Sequence, residues 1–346
     1  MPERLSARVL RATEELERFA PAWERLWLQD PHATPFHSPE WLLPWWHSFG
    51  QPDLRTVVLS HGADAVGLLP FYVYREPGAH ERRLLPLGIG ATDYLGGVFT
   101  PACTHDDVEA GLRRLLGDGE WDEIIVTQLR PHAPMFQVMP RIWPGLQRFA
   151  TGYCSYTPAL RVADLPHKVR RNAMYYRNRA LRQGNLELTT ADESNWREAF
   201  DALVRFHGER WRTSHEEDVL SDDRVIGMHH ESIPLLLKCG LLRLCCLRLK
   251  GEIIAVLYSL IDPPGREKRR QYFYLTAYSP EHAELRPGTL LVALAMERAV
   301  DEGVRVVDML RGEEAYKQIW HMERTPTFGF QLSRRAESRI PIAAVA

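Results

Sequence analysis

The chemistry-bearing residues concentrate in residues 285–321, LRPGTLLVALAMERAVDEGVRVVDMLRGEEAYKQIWH. Pro287 presets φ at the mouth of a helix, and Gly288, without a Cβ, lets a ligand approach the backbone. The amides of Gly288, Thr289 and Leu290, next to Arg286, precede the first intrahelical bond and with the helix dipole suit a pyrophosphate. An ordinary capped helix returning to a sheet is the competing reading. Gly303 ends that helix, and the β-branched run 304–309 brings Asp308 to a strand end, with Arg311 close behind. Asp308 could orient an amine or clasp Arg311. Tyr316 and Lys317 fall on the next helix, where a phenol with a pKa of about 10 can donate a proton at neutral pH. Glu313 and Glu314 are candidate bases or simple complements to the helix dipole. Upstream, His207 and Arg210 lie three apart on one helix, and an imidazole with a pKa of about 6.5 can take a proton from an ammonium or merely pack.

A further charge feature is the helix 166–182, where Lys168, Arg171, Tyr175, Arg179 and Arg182 share a face at about 100° per residue. Such a stripe could meet a phosphate group or an acidic carrier, or be simply solvated.

The run Asp308-Met309-Leu310-Arg311-Gly312-Glu313-Glu314-Ala315-Tyr316-Lys317 resembles the D-x-L-R-G-x-E-x-Y-K signature of the CelD/BcsL-like (BioF2-like) acetyltransferases, a GNAT group. Further matches lie in that family's order: Phe36-His37-Ser38-Pro39-Glu40-Trp41 with Trp45-Trp46, Gly88 with Asp93-Tyr94, Arg170-Arg171, and His207-Gly208-Glu209-Arg210-Trp211. The likeness extends over residues 35–333. It implies a mixed α/β protein of two tandem GNAT-like (acyl-CoA N-acyltransferase) domains, as in the distantly related FemX-like aminoacyltransferases. Residues 1–156 would shape the substrate cleft, and 157–346 would hold acyl-CoA, acetyl-CoA above all.

The resemblance also implies roles. A strand at 271–278, splayed from its neighbour, would offer an amide near Leu275, Thr276 or Ala277 to the thioester carbonyl. Tyr316 would protonate the leaving thiolate, and Lys317 would hold a phosphate or polarise a carbonyl. The signature position favours Glu314 over Glu313. Asp93 and Tyr94 would line a cleft or anchor a loop, with Arg171, Arg210 and Arg311 toward the acceptor. The usual Q/R-x-x-G-x-G/A pyrophosphate loop is reduced here to Arg286-Pro287-Gly288-Thr289-Leu290. The implied reaction is acyl transfer to an amine of a small molecule or glycan precursor, within polysaccharide or cell-envelope synthesis. The alternatives are an aminoacyl-tRNA donor and a catalytically silent binding protein.

Bulk properties set limits. At 346 residues two domains are expected, and 45% hydrophobic with 25% charged residues is an ordinary globular balance. A formal net charge of −2 gives no global pull toward nucleic acid. The five cysteines lack ligand-like spacing, so buried free thiols are expected and no metal. No uncharged apolar run reaches about 18 residues, and the N-terminus lacks a signal-peptide core, which points to the cytoplasm.

Periodicity places helices after Thr13 and Ser38, at 106–116, 193–211 and up to Lys238. A helix interrupted at Pro44 carries the Trp41, Trp45 and Trp46 cluster. Strands are expected at 7–11, 54–60, 65–74, 123–129, 186–190, 241–249, 252–261 and 327–334, with the proline-rich 131–144 closing the first half.

Overall fold

A computed structural model of the chain describes residues 4–117, 120–143, 145–211, 219–312, 317–320 and 322–334, with backbone only for 210, 211 and 318. Contacts divide it into two units, Met1–Gly152 together with the strand returning from Pro326, and Tyr153–Thr325. A single break after residue 156 does not anticipate that return.

The first unit opens with β1 (Leu5–Leu10), α1 (Thr13–Gln29) and α2 (Pro39–Phe49). Then come β2 (Thr56–His61), β3 (Asp64–Leu69), β4 (Phe71–Arg75), β5 (Arg82–Pro86), β6 (Val98–Phe99), α3 (His105–Gly117), β7 (Glu123–Leu129) and α4 (Pro134–Ile142). β8 (Gln147–Pro158) leads into the second unit. The order β1-β2-β3-β6 makes one antiparallel sheet. β4 pairs antiparallel with β5, and β5 runs parallel to β7.

Four expectations need correction here. The run 65–74 is two strands in different sheets, because Pro70 cannot donate to a ladder. The stretch 131–144 contains α4, since Pro134 sits at its first turn and Met135, Val138, Met139 and Ile142 bury one helical face. α2 runs through Pro44 without a break, and Trp41, Trp45 and Trp46 are core side chains. At the first helix, Ala12 rather than Thr13 takes the cap position, and the Glu15 carboxylate accepts from the Arg11 and Ala12 amides.

The second unit contains α5 (His167–Leu181), β9 (Leu186–Thr190), α6 (Trp196–Trp211), α7 (Asp223–Lys238), β10 (Leu242–Leu249), β11 (Glu252–Ile261), β12 (Arg270–Tyr278), α8 (Pro287–Asp301) and β13 (Val306–Asp308). β14 (Glu323–Ser333) then returns to the first unit and pairs with β7. Within the second unit the sheet order is β8-β13-β12-β11-β10-β9, antiparallel except for the parallel pair β12–β13. Lys250 and Gly251, both at positive φ, turn β10 into β11, as a tight two-residue hairpin requires. α8 is the central helix. Leu290, Leu291, Ala293, Ala295, Met296 and Ala299 are buried with Cys245, Leu247, Leu257 and Phe273 of the sheet.

Candidate acyl-transfer site

β12 has two different edges. Along β11 it is paired from Gln271 to Tyr278, with a bulge opposite Tyr258 and Ser259 that admits Tyr274 as an extra residue. Along β13 the parallel register covers only Arg270, Gln271 and Tyr272, and among the described residues it goes no further. The two strands therefore part after Tyr272 and Asp308. Ser279 N donates to Ile254 O at 2.9 Å, which fixes the phase of the alternation. Counting back, Ala277 and Leu275 turn their amides to β11, whereas Tyr278 and Thr276 turn theirs to the open edge. Of the three residues named from sequence, only Thr276 aims its N–H into the gap, and Tyr278 joins it. Both are half-buried.

The α8 mouth lies beside this edge. A Cβ on Gly288 would stand 3.3 Å from Cδ1 of Tyr278. Arg286, at φ 48° and ψ 50°, is the cap residue, and its carbonyl accepts from Leu290 N at 3.2 Å. The Leu290 amide is thus already engaged, contrary to the sequence expectation, because the cap residue's carbonyl takes the first helical bond. Pro287 has no N–H. The amides of Gly288 and Thr289 remain as helix-start donors, both residues half-buried, with the exposed Arg286 side chain next to them. A diphosphate suits that donor set.

Beyond the parting, Asp308 is buried to 1% exposure. Its Oδ1 accepts from Leu310 N at 2.9 Å and its Oδ2 from Arg270 Nη1 at 3.4 Å. Leu310 sits at φ 58°, a conformation costly for a leucine, which the Asp308 bond helps to hold. The Met309 amide donates to Ser155 O at 2.7 Å, and Leu310 O accepts from Ser155 N at 3.1 Å. Lys317, also buried, donates through Nζ to Arg311 O, with Gly312 O at 3.5 Å. Asp308, Arg311 and Lys317 are therefore gathered in one braced loop. Glu313, Glu314 and Tyr316 lie outside the described residues, as do the side chains of Arg210 and Trp211.

Sequence reasoning missed Arg270. Its guanidinium lies 5.2 Å from the Tyr156 ring centroid, and Tyr156 donates to Glu323 at 2.6 Å, which pushes the phenol's pKa upward. The buried Asp308 was the available signal, since such a carboxylate calls for a cation. A second missed group is the ring cluster of His229 (α7), Tyr258 (β11) and Tyr274 at the β12 bulge, with centroids 5.3–5.9 Å apart. Burial, with a smaller contribution from His230, drives His229 down to about 3. Burial raises the Tyr258 phenol, and the Ser232 hydroxyl partly offsets this. His229 shares a helical face with Val225, Ser232, Ile233 and Leu236, so its apolar spacing was the cue.

His207 is buried on α6, which packs against β11 and β12. Asp93 and Tyr94 are buried in the first unit, Tyr94 under the Arg130 guanidinium at 4.9 Å. Gly88 at φ 88° leaves no room for a Cβ, which would come within 2.6 Å of Thr92 Oγ1. Arg171 is exposed on α5. Cys154, Cys245 and Cys246 are buried, as expected of inert thiols, and burial lifts Cys246 to about 12. Cys239 is exposed and Cys103 intermediate, which departs from that expectation because both lie at element ends. Among the described residues no group of three His, Cys, Asp or Glu is placed to hold a metal, and no helix is long and apolar enough to cross a membrane.

Residues 167–318, from α5 through Lys317, match the family described as Acetyltransferase (GNAT) domain. The chain has the GNAT acetyltransferase fold. The mixed α/β GNAT architecture expected from the sequence is borne out. FemX has a similar structure, at TM-score 0.65 and 10% identity over 94% of this chain and 96% of that one. L-PGS from Bacillus licheniformis superposes at TM-score 0.54 and 14% identity, covering 89% and 94%. A tandem GNAT protein from the clavulanic acid biosynthesis pathway gives TM-score 0.51 and 14% identity, covering 97% and 100%. No curated protein matches the sequence.

Proposed function

We propose that this protein is an N-acyltransferase of the CelD/BcsL-like kind, moving an acyl group, acetyl by preference, from acyl-CoA to an amine. The acceptor would be a small molecule or sugar precursor in polysaccharide or cell-envelope synthesis. The observation that carries the reading is the parting of β12 from β13 beside the mouth of α8.

The residues present fit acyl-CoA. Gly288 and Thr289 amides with Arg286 would hold its phosphates, and Thr276 and Tyr278 amides would hold a carbonyl oxygen. Acyl-CoA, when bound, supplies an activated thioester carbonyl. The chain's own work is then positioning and proton handling. His207 or Glu314 takes the proton from the amine, and Tyr316 donates one to the departing sulfur. Asp308 and Lys317 act on the loop between them, fixing its carbonyls and backbone. Arg171, Arg210 and Arg311 are the acceptor residues proposed in the second unit, and Asp93 and Tyr94 those proposed in the first.

Thermal shift and thiol release with a panel of acyl-CoA thioesters test this. Stabilisation by CoA together with acceptor-dependent thiol release supports the proposal, and absence of both overturns it. A second reading, an aminoacyl-tRNA donor as in FemX-like enzymes, draws support from the cation-rich α5 and requires stabilisation by aminoacyl-tRNA alone.

A further inference from the structure

Six cations and no carboxylate lie between Leu165 and Leu186, in a chain whose formal net charge is −2. Val169, Ala173 and Ala180 turn one narrow face of α5 into the core. At about 100° per residue the opposite face presents Lys168, Arg171, Met174, Tyr175, Asn178, Leu181 and Arg182. All are exposed, as is Arg177 at the margin. Met174, Tyr175 and Leu181 are 53%, 56% and 46% exposed, half of the six exposed large hydrophobics among the described residues. Lys168, Arg171, Arg177 and Arg182 form no ion pair there, whereas Arg170 is used within the fold, donating to Ala163 O at 2.8 Å.

A merely solvated helix face would mix both signs of charge and would not interleave bulky apolar groups with them. An RNA would answer the cations but offers nothing to the two aliphatic side chains. An acidic protein would need a matching apolar pocket at one register, whereas a bilayer boundary accepts both kinds of group anywhere along the helix. Guanidinium and ammonium groups flanking a Met–Tyr–Leu patch, on a helix lying along the surface, match the headgroup boundary of an anionic bilayer. We propose that the outer face of α5 docks the protein peripherally on an anionic phospholipid surface. Met174, Tyr175 and Leu181 enter the headgroup boundary, and Lys168, Arg177 and Arg182 meet the lipid phosphates.

The test is co-sedimentation of the full chain with phosphatidylcholine vesicles, plain or containing about 30 mol% phosphatidylglycerol, at about 0.1 M and about 1 M salt. Binding is expected only to the anionic vesicles and should weaken at high salt. The exposed triple variant Lys168→Glu/Arg177→Glu/Arg182→Glu should lose about hundredfold in partitioning. Met174→Ser/Tyr175→Ser/Leu181→Ser should lose about tenfold or more and abolish the salt-resistant remainder. Unchanged circular dichroism certifies that both variants fold. No binding by wild type, equal binding to plain vesicles, or a serine variant that binds as wild type overturns the proposal. So does gel-shift binding of bulk tRNA without vesicle binding. Lipid partitioning is read without any acyl donor, so its failure is distinct from failure of the acyltransferase reading.

Discussion

Tyr278 and Gly288, ten residues apart in sequence and on different elements, approach too closely for an ordinary side chain between them: the ring's Cδ1 stands 3.3 Å from where a Cβ on residue 288 would be. The glycine thus serves the packing of the β12 end against the helix mouth as well as any approach by a ligand. The two sources of free amides, Thr276 and Tyr278 on the strand and Gly288 and Thr289 on the helix, are held side by side by it.

Filling that contact should disturb binding before folding. Gly288→Ala is expected to cost less than about 1 kcal/mol, because the ring can yield a few tenths of an ångström, and Gly288→Val about 2 kcal/mol. Urea unfolding measures the first effect. Acetyl-CoA affinity should fall in the same order, Val well below Ala.

The Asp308 carboxylate anchors the loop after β13. Asp308→Ala should cost about 2 kcal/mol, since it removes an anionic partner of the Arg270 guanidinium and the carboxylate that accepts from Leu310 N at a positive φ. Asp308→Asn keeps an acceptor for Leu310 N and should cost about 1 kcal/mol. Equal losses in the two variants would mean that the charge, not the backbone bond, dominates.

Lys317 is tied to the carbonyls of Arg311 and Gly312. Lys317→Met is therefore expected to lower stability by about 1 kcal/mol, through the loop carbonyls that lose this donor, along with turnover. A variant of wild-type stability that lost only kcat would assign the lysine to substrate instead.

Acid should weaken the fold in a shaped way. His37 and His229 are both driven down to about 3, chiefly by burial, while unfolded histidine titrates near about 6.5. The unfolded chain then binds protons that the folded one does not, so stability falls below about pH 6.5, by up to about 1.4 kcal/mol per pH unit for each. Asp262, which burial pushes up to about 6, acts oppositely: between about 6 and about 3.8 the folded chain holds the extra proton. The loss should set in near pH 6.5 and then hold at about the slope of a single histidine down to about pH 4, because Asp262 offsets one of the two. Urea midpoints against pH measure it. His229→Phe should flatten the profile and Asp262→Asn should steepen it.

How far the sequence reaches follows from what is local. β7 and β9 begin and end where alternation and β-branched residues put them, and the helix through α8 follows from Pro287, its apolar stripe and Gly303. β8 was hidden because its exposed stretch alternates weakly and follows a proline-rich segment. The parting of β12 from β13 depends on which strand sits where, and on a one-residue bulge opposite Tyr258, neither of which leaves a local trace. For the same reason Arg270 could not be matched to Asp308: they meet diagonally, two positions apart in the parallel register and across 38 residues of chain. At the helix mouth the donors were legible, but the engagement of Leu290 required the left-handed Arg286 to be seen.

Calorimetric titration of acetyl-CoA into the wild type and into Thr289→Glu addresses the site itself. A single binding event in the wild type, lost when a carboxylate stands among the helix-start amides while the fold is retained, is the predicted result. Wild-type affinity in Thr289→Glu, or no heat of binding in either protein, would contradict the assignment of the α8 mouth to the nucleotide diphosphate.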